Sequence, residues 1–493
     1  MDLGVALGLA LALALSCLLL LVTLWRHRFS GLPPGPPPLP WVGNMLKVDV
    51  ADLLRSLRQL SHEYGPIYTF HLGSRPCIVL SGFQVLKEAL IDRAEEFGGR
   101  GDFPAVQMWS HGDGIVYGSG ERWKQLRRFA ITTLKNLGMG KRSMEQRIQE
   151  EAQYLLEEFH KTGGQPFDPT FFLSCAGSNI ICSLVFGDRF PYDDQRFLTL
   201  MNLINSNWRL MSSTWGQLLF TFPKIMRHVP GPHRQIFRNY LQLEAFVATR
   251  VALNKASLDP SQPRDYIDYF LLKMDQEKDN PKSHFNEQTL SKTTVNLFFA
   301  GTETVSSTLR YGLRILLRHP EVEARIHAEI DEVIGPSRQP CMEDRARMPY
   351  TDAVIHEIQR FADIVPMAVP HTVTRPISFR GYSLPKDLNV IPLLCTSHFD
   401  PSQFENPTSF DPGHFLDATG HFKRNEAFLA FSAGKRLCLG ESLAVMELFL
   451  FLTSLLQRFR LGTLEDRASI DLSPQSTGLG SLPRLYRLYL LPR

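Results

Sequence analysis

Residues 431–440 read FSAGKRLCLG. One cysteine, Cys438, stands in this loop with two glycines and two cations, just before the apolar run GESLAVMELFLFLTSLLQRFR of residues 440–460. Gly434 permits a tight turn, and Gly440 lies where the apolar run begins as a helix. A sulfur just ahead of a helix N-terminus meets unpaired backbone N–H groups and the positive end of the helix dipole. Those groups, with Lys435 and Arg436, favour a thiolate.

The loop alone leaves three readings open. The first is an inert buried thiol, the usual fate of a lone cysteine. The second is a nucleophile, which wants a base, and nothing in the sequence orients His414 or His421 toward it. The third is a sole thiolate ligand to a soft metal. Iron already held by a porphyrin has that need, because the macrocycle supplies its other four ligands.

The chain has 493 residues, 44% hydrophobic and 21% charged, a globular composition. Length alone suggests about three domains, but no internal linker divides the body, so one large catalytic unit stays open. A formal net charge of +3 is too small to argue for nucleic acid. The 7 cysteines, at 17, 77, 175, 182, 341, 395 and 438, form no C-x-x-C pair. An odd, scattered set argues against a disulfide framework and for a reducing compartment.

The N-terminus differs from the body. Residues 3–24, LGVALGLALALALSCLLLLVTL, carry no charge. As a helix they could cross a hydrocarbon core about 30 Å thick. A cleaved signal peptide would have a shorter apolar region after a basic start. Here the basic residues, Arg26 and Arg28, follow the run, which keeps the body cytosolic. GLPPGPPPLP (31–40) then reads as a stiff, extended stalk. The division is therefore an anchor over 3–24, a Pro-rich stalk over 29–44 and a body over 45–493.

Within the body, 66–80 suggests two strands around a Gly-Ser-Arg-Pro turn. Residues 121–160 read as amphipathic helix with basic positions, and 286–319 as one long helix stopped by Pro320. Residues 349–361 form a helix with proline near its start, and 372–395 alternate like short strands. Helix dominates. HEIQR (356–360) lacks the second histidine of a zinc protease helix, and GMGKRS (138–143) lacks the first glycine of a phosphate loop. No G-x-G-x-x-G opens a helix.

F-x-x-G-x-R-x-C-x-G, here Phe431, Gly434, Arg436, Cys438 and Gly440, resembles the haem-loop signature of cytochrome P450 monooxygenases. Three more signatures stand in the same order as in that family: W-x-x-x-R at Trp123 and Arg127, A-G-T-E-T at 300–304, and E-x-x-R at Glu357 and Arg360. The likeness runs from the PPGP segment to the C-terminus. In RFADIVPMAVPH, MPYTDAVIHE and GMGKRS the chain is similar to microsomal vertebrate family 2 enzymes.

The resemblance implies a mainly α fold with a small β-rich region, the cytochrome P450 fold, preceded by one transmembrane helix. It implies haem b, with Cys438 as the axial iron ligand. Arg100, Trp123, Arg127, His371 and Arg436 would meet the propionates, arginine doing so bidentately, while Phe431, Gly434 and Gly440 shape the loop. Thr304 would hold water and the oxygen ligand, and Glu303 would help deliver protons. Glu357 and Arg360 become a buried structural pair, with His414 standing where a third, arginine member is usual. The substrate wall would include Val106, Tyr117, Trp208, Asn296, Phe299, Ala300, Thr304, Val365, Val369 and Leu479. Most are apolar, which suits greasy substrates, and Asn296 is a polar member able to orient them.

The activity implied is insertion of one atom of O2 into an apolar organic substrate: a xenobiotic, with fatty acids and steroids as further classes. NADPH would act only through a separate NADPH–cytochrome P450 reductase, with cytochrome b5 as an optional second donor. Basic residues Arg122, Lys124, Arg128, Lys135, Lys141, Arg142 and Lys435 would steer that acidic partner. The site of action is the endoplasmic reticulum membrane, with the body facing the cytosol. Two rivals remain, a haem-thiolate isomerase or dehydratase that needs no reductase, and a haem-binding protein without catalysis. Three departures stand out. Ala430 replaces a usual proline, Asp387 replaces the glycine of an L-P-K-G turn, and FGGRG replaces FSGRG; the first two would loosen their surroundings.

Overall fold

The structure is a computed structural model and describes residues 31–493 except 102 and 479, together with 12, 13 and 16. The anchor expected over 3–24 and the wall residue Leu479 thus lie outside the described residues, apart from those three positions. Among the described residues no helix is long and apolar enough to cross a membrane.

Helices dominate, as expected. Among the described residues, those of seven residues or more begin with α1 (Leu53–Tyr64), α2 (Pro104–Ser110), α3 (Gly120–Asn136), α4 (Arg142–Lys161), α5 (Thr170–Val185), α6 (Gln195–Ser212) and α7 (Thr214–Thr221). They continue with α8 (Arg234–Ser257), α9 (Tyr266–Gln276), α10 (Glu287–Arg318), α11 (Pro320–Val333), α12 (Pro349–Ala362) and α13 (Glu441–Arg458). The single helix expected over 121–160 is two. Gly138 and Gly140 take φ of 108° and 76° between α3 and α4, a left-handed path that a continuing helix cannot follow.

The main sheet has the order β1-β2-β7-β4-β3. It is built from β1 (Ile67–Leu72), β2 (Arg75–Leu80), β3 (Gly99–Arg100), β4 (His371–Thr372) and β7 (Asn389–Pro392). β1 and β2 form a hairpin pairing Leu72 with Arg75, and β7 joins β2 in parallel. β3 pairs with β4 so that Arg100 opposes His371. Two-stranded ribbons complete the β structure: β5 (Ile377–Phe379) with β6 (Tyr382–Leu384), β8 (Phe459–Gly462) with β11 (Tyr489–Pro492), and β9 (Ser476–Thr477) with β10 (Ser481–Leu482).

The proline segment is no free stalk from residue 33 on. Thr69 donates its backbone N–H to Pro34 O at 2.8 Å and its hydroxyl to Pro33 O at 2.7 Å. Asn44 donates to Pro36 O and Pro37 O and accepts from the His71 N–H. Proline has no N–H to offer, so the segment covers the outer side of edge strand β1 as an acceptor row and ends pairing there.

α10 is the axis of the core. Asn286 and Thr289 cap it reciprocally, a two-donor device that starts the helix firmly, and Pro320 follows its end. Residues 289–299 and 305–317 are buried. α5 lies against it and is buried on every side from Leu173 to Val185, as a helix apolar all round must be. The approach is close because Gly301 has no side chain: a Cβ there would overlap Ile181 of α5. Asp387 holds φ at 63°, the left-handed conformation in which aspartate is tolerated and glycine costs less. Gly98, where serine is usual, would place a Cβ 2.7 Å from Ala94 O, so this backbone path needs glycine.

Candidate active site

Cys438 leaves a short turn, Gly434–Arg436, and precedes α13 by two residues. The loop closes on itself through Cys438 N–H to Phe431 O at 3.0 Å. Gly434 has φ of 64°, and a Cβ there would collide with the Leu90 carbonyl. Its glycine is therefore demanded both by conformation and by space. Gly440 has an ordinary φ, and a Cβ there would lie 3.9 Å from the Cys438 sulfur, so space alone does not require glycine at that position.

The sulfur is accessible from an open groove yet closely surrounded by protein. Burial raises the thiol pKa, while the N–H groups of Gly440 and Glu441 and the charge of Arg127 pull it down. The thiolate support expected from Lys435 and Arg436 is not what forms. Lys435 pairs with Glu95 at 2.6 Å, and Arg436 turns away to Gly98 O and Gly118 O, both at 2.8 Å. A bound metal deprotonates a thiol outright, so the loop offers a ligand rather than a ready nucleophile. Among the described residues no three His, Cys, Asp or Glu side chains gather as a metal site, so Cys438 would be a sole protein ligand.

Cations converge behind this loop. Arg436 stacks 3.5 Å over the Trp123 ring, with the Arg127 guanidinium 5.7 Å from the same centroid. Arg127 donates to Leu437 O, next to Cys438. Arg100 donates to Val116 O at 2.9 Å and Val369 O at 3.0 Å. His371 bonds Phe97 O at 2.7 Å through Nδ1, and its buried Nε2 has no partner. Arg436 likewise leaves Nη1 unpartnered.

Among the described residues no carboxylate pairs with Arg100, Arg127 or Arg436. Burial, then the charges of Arg100 and Arg127, pull Arg436 down to about 8. Arg100 falls to about 9, chiefly through burial. Guanidinium does not willingly lose its proton; such a cluster calls for a dianionic partner instead. The two propionates of a haem fit it, and the sequence-predicted residues Arg100, Trp123, Arg127, His371 and Arg436 are the ones brought together.

Between residues 289 and 317, α10 is buried except at one small window: Ala300 is exposed, and Gly301 and Thr304 are half-buried. The helix is therefore open to free space at this turn. Thr304 donates its hydroxyl to Ala300 O at 2.8 Å, a local bond that a competing ligand can replace. Glu303 is buried, accepts from Ser307 Oγ at 3.0 Å and has Arg310 at 3.8 Å. Burial raises its pKa, and Arg310 and Ser307 pull it back.

The expected wall residues are mostly apolar and enclosed. Val106, Tyr117, Trp208 and Phe299 are buried, and Val365 and Val369 are half-buried. The Trp208 and Phe299 rings lie 5.4 Å apart. Asn296 departs from expectation: its Oδ1 accepts from the Val116 N–H at 3.2 Å and lies against Gly114. It holds backbone rather than standing free for a substrate.

Glu357 and Arg360 are fully buried and joined by two bonds of 2.7 Å. Arg360 also donates to His398 O, Pro407 O and Ser409 O. His414 takes the third place, 3.2 Å from Glu357 Oε2. Burial lowers its pKa, but the bond and charge of Glu357 outweigh that and leave it raised.

The groove at Cys438 encloses about 860 Å³ and is lined by Lys135, Lys141, Arg142, Arg345 and Arg424 among others. Arg345 and Arg424 had no sequence signal beyond their charge. Three of the expected patch cations already have partners: Arg122 pairs with Asp113, Lys124 with Glu121 and Lys435 with Glu95.

The cytochrome P450 family pattern matches residues 33–490. Cytochrome P450 2F3 of Capra hircus is 55% identical over 97% of this chain and 97% of its own. Cytochrome P450 2F1 of Homo sapiens is 56% identical over 96% of each chain. Cytochrome P450 2G1 of Oryctolagus cuniculus is 53% identical over the full length of both. With a lone cysteine beside an unpaired cation cluster and a helix opened at Ala300 and Thr304, the chain belongs to the cytochrome P450 family, the haem b monooxygenases.

Proposed function

We propose that this chain is a membrane-anchored monooxygenase of apolar organic substrates, xenobiotics above all, fed with electrons from NADPH by a separate reductase. The observation that carries the reading is the set of buried Arg436 and half-buried Arg100 and Arg127, unpaired with any described carboxylate, behind the Cys438 loop. Haem, when bound, supplies O2 activation and one-electron chemistry that no side chain can provide.

The chain's own residues bind, orient and move protons. Cys438 is the iron ligand, and Arg100, Arg127, His371 and Arg436 hold the propionates. Glu303 carries a proton more readily than an exposed glutamate because burial raises its pKa. Thr304 lies one residue on, at the window, where its hydroxyl can release Ala300 O and hold a water. The buried walls at Val106, Trp208 and Phe299 exclude bulk water and favour greasy substrates.

Lys135, Lys141, Arg142 and Arg424 around the groove favour an acidic flavoprotein, and cytochrome b5 by the same charge logic. Residues 3–24 serve as the anchor, which puts the enzyme at the endoplasmic reticulum with its body in the cytosol. The test combines the anchored protein with NADPH and reductase. Turnover of an apolar substrate is expected only with both, and the reduced carbonyl complex should show a thiolate band that Cys438→Ser abolishes. Turnover without reductase, or a band that survives the substitution, refutes the reading.

A further inference from the structure

The segment 103–117 carries Val106 and Tyr117 and joins β3 to α3. Three side chains of α10 reach it. Gln288 donates to Asp113 Oδ2 at 3.1 Å, and Asn296 accepts from Val116 N–H at 3.2 Å. Between them Lys292 acts through Glu244 of α8. Lys292 Nζ lies 2.9 Å from Glu244 Oε2, and the Trp109 indole N–H donates to that same oxygen at 3.0 Å. Lys292 Nζ also stands 4.0 Å from the Trp109 ring centroid. Trp109 stacks on Tyr240 of α8 at 4.5 Å, and Tyr240 is 6.3 Å from Phe299.

Positions 288, 292 and 296 repeat at i, i+4 and i+8, so they form one stripe on α10. The same stripe continues to Ala300 and Thr304. The far end of the segment is secured several times over: Arg100 bonds Val116 O, Arg122 bonds Gly112 O, and Trp123 bonds Ile115 O. α2 is not. Among the described residues, the side-chain hydrogen bond that ties it to another helix is that of Trp109. Beyond α2 the chain turns on His111, Gly112 and Gly114, with φ of 51°, 78° and 92°. Lys292 is only 4% exposed and Glu244 is half-buried, so loss of the glutamate charge would strand the lysine charge away from water.

We propose that the Glu244–Lys292 pair is a latch that, through Trp109, sets the distance between α2 and α10 and so the size of substrate admitted beside Ala300 and Thr304. Lys292 and Glu244 are positioning residues for specificity and touch no substrate. The size consequence rests on the reading of Val106 and Phe299 as pocket wall; the latch itself does not.

The haem-loaded full chain and its Lys292→Met and Glu244→Gln variants test this by amide hydrogen exchange and by Soret titration with imidazole and a bulky aryl azole. Exchange across 104–111 should quicken about tenfold, a typical coupling for contacting residues, while 170–185 stays unchanged. The bulky azole should gain several-fold in affinity over imidazole. Unchanged exchange at 104–111 in a folded variant overturns the latch. Faster exchange with an unchanged affinity ratio overturns the pocket assignment of α2 instead. If Lys292→Met does not load haem, Glu244→Gln keeps the side-chain shape but removes the charge that Lys292 pairs with, and gives the same readings.

Discussion

Arg100 stands directly opposite His371 across β3 and β4, and the histidine is held neutral. Burial lowers its pKa first and the Arg100 charge lowers it further. Its Nδ1 contact to a carbonyl places the proton there, so Nε2 has none to offer a carboxylate. Bringing propionates to this site reverses the local charge and raises the histidine pKa. Haem uptake by the haem-free protein at neutral pH should therefore draw in protons, and haem affinity should fall as pH rises. Calorimetry in two buffers of different ionisation enthalpy checks this; His371→Asn should take up fewer protons. Equal uptake by both proteins would refute the assignment.

Gly301 serves helix packing in addition to any role at the window. Gly301→Ala should cost about 1–3 kcal/mol by overpacking against Ile181. A second change, Ile181→Ala, should recover part of that loss, because the two side chains compete for one space. Thermal unfolding of the two single variants and the double variant measures the coupling. Simple additivity would show that the clash is relieved elsewhere.

The His414–Glu357 contact gives the stability a defined pH dependence. The folded pKa of His414 is raised, so the folded state binds the proton more tightly than the unfolded chain. Its stabilisation is fully present below the unfolded value of about 6.5 and is lost as pH rises through the folded value. The stability difference between the native protein and His414→Asn, about 1.5–3 kcal/mol for a charged hydrogen bond, should hold steady at acid pH and shrink on the alkaline side. Chemical denaturation at several pH values follows it, and a difference independent of pH would exclude a protonated His414.

Ala430 should not release the cysteine loop, because His398 secures its approach. The buried His398 accepts the Leu429 N–H at 3.0 Å through Nε2 and bonds Asp363 at 2.9 Å through Nδ1. His398→Ala leaves both partners unsatisfied, worth about 1–3 kcal/mol each when buried. The reduced carbonyl spectrum should then shift partly to the form of a protonated or displaced thiolate, while the native protein shows a clean thiolate band. A mixed band in the native protein would mean that the missing proline matters after all.

Long, well-punctuated elements were legible in the sequence. α10 was expected over 286–319 and runs Glu287–Arg318, because a capping asparagine and a following proline mark its ends. α12 was legible because Pro349 marks its start, and α13 because its apolar run is long and follows the glycine of the cysteine loop. α5 gave no periodic signal, since a helix buried all round has no polar face to show. The break between α3 and α4 was written in Gly138 and Gly140 but hidden by continuous amphipathic pattern. At the candidate site, which residues gather was legible and where they point was not. Lys435 and Arg436 adjoin Cys438 in the chain, yet Glu95 and Gly98 decide where they point. Trp109, Glu244 and Lys292 are far apart in sequence, and only the fold shows their convergence.

The seam between Pro33–Asn44 and β1 determines how this enzyme can be shortened. Thr69 depends on the carbonyls of Pro33 and Pro34, and the His71 N–H depends on Asn44. A cut placed upstream of Gly31 spares every one of those bonds. A cut at residue 45, where the catalytic body begins by composition, strips the outer edge of the sheet whose far side bears Arg100 and His371, and leaves a raw strand open to other copies.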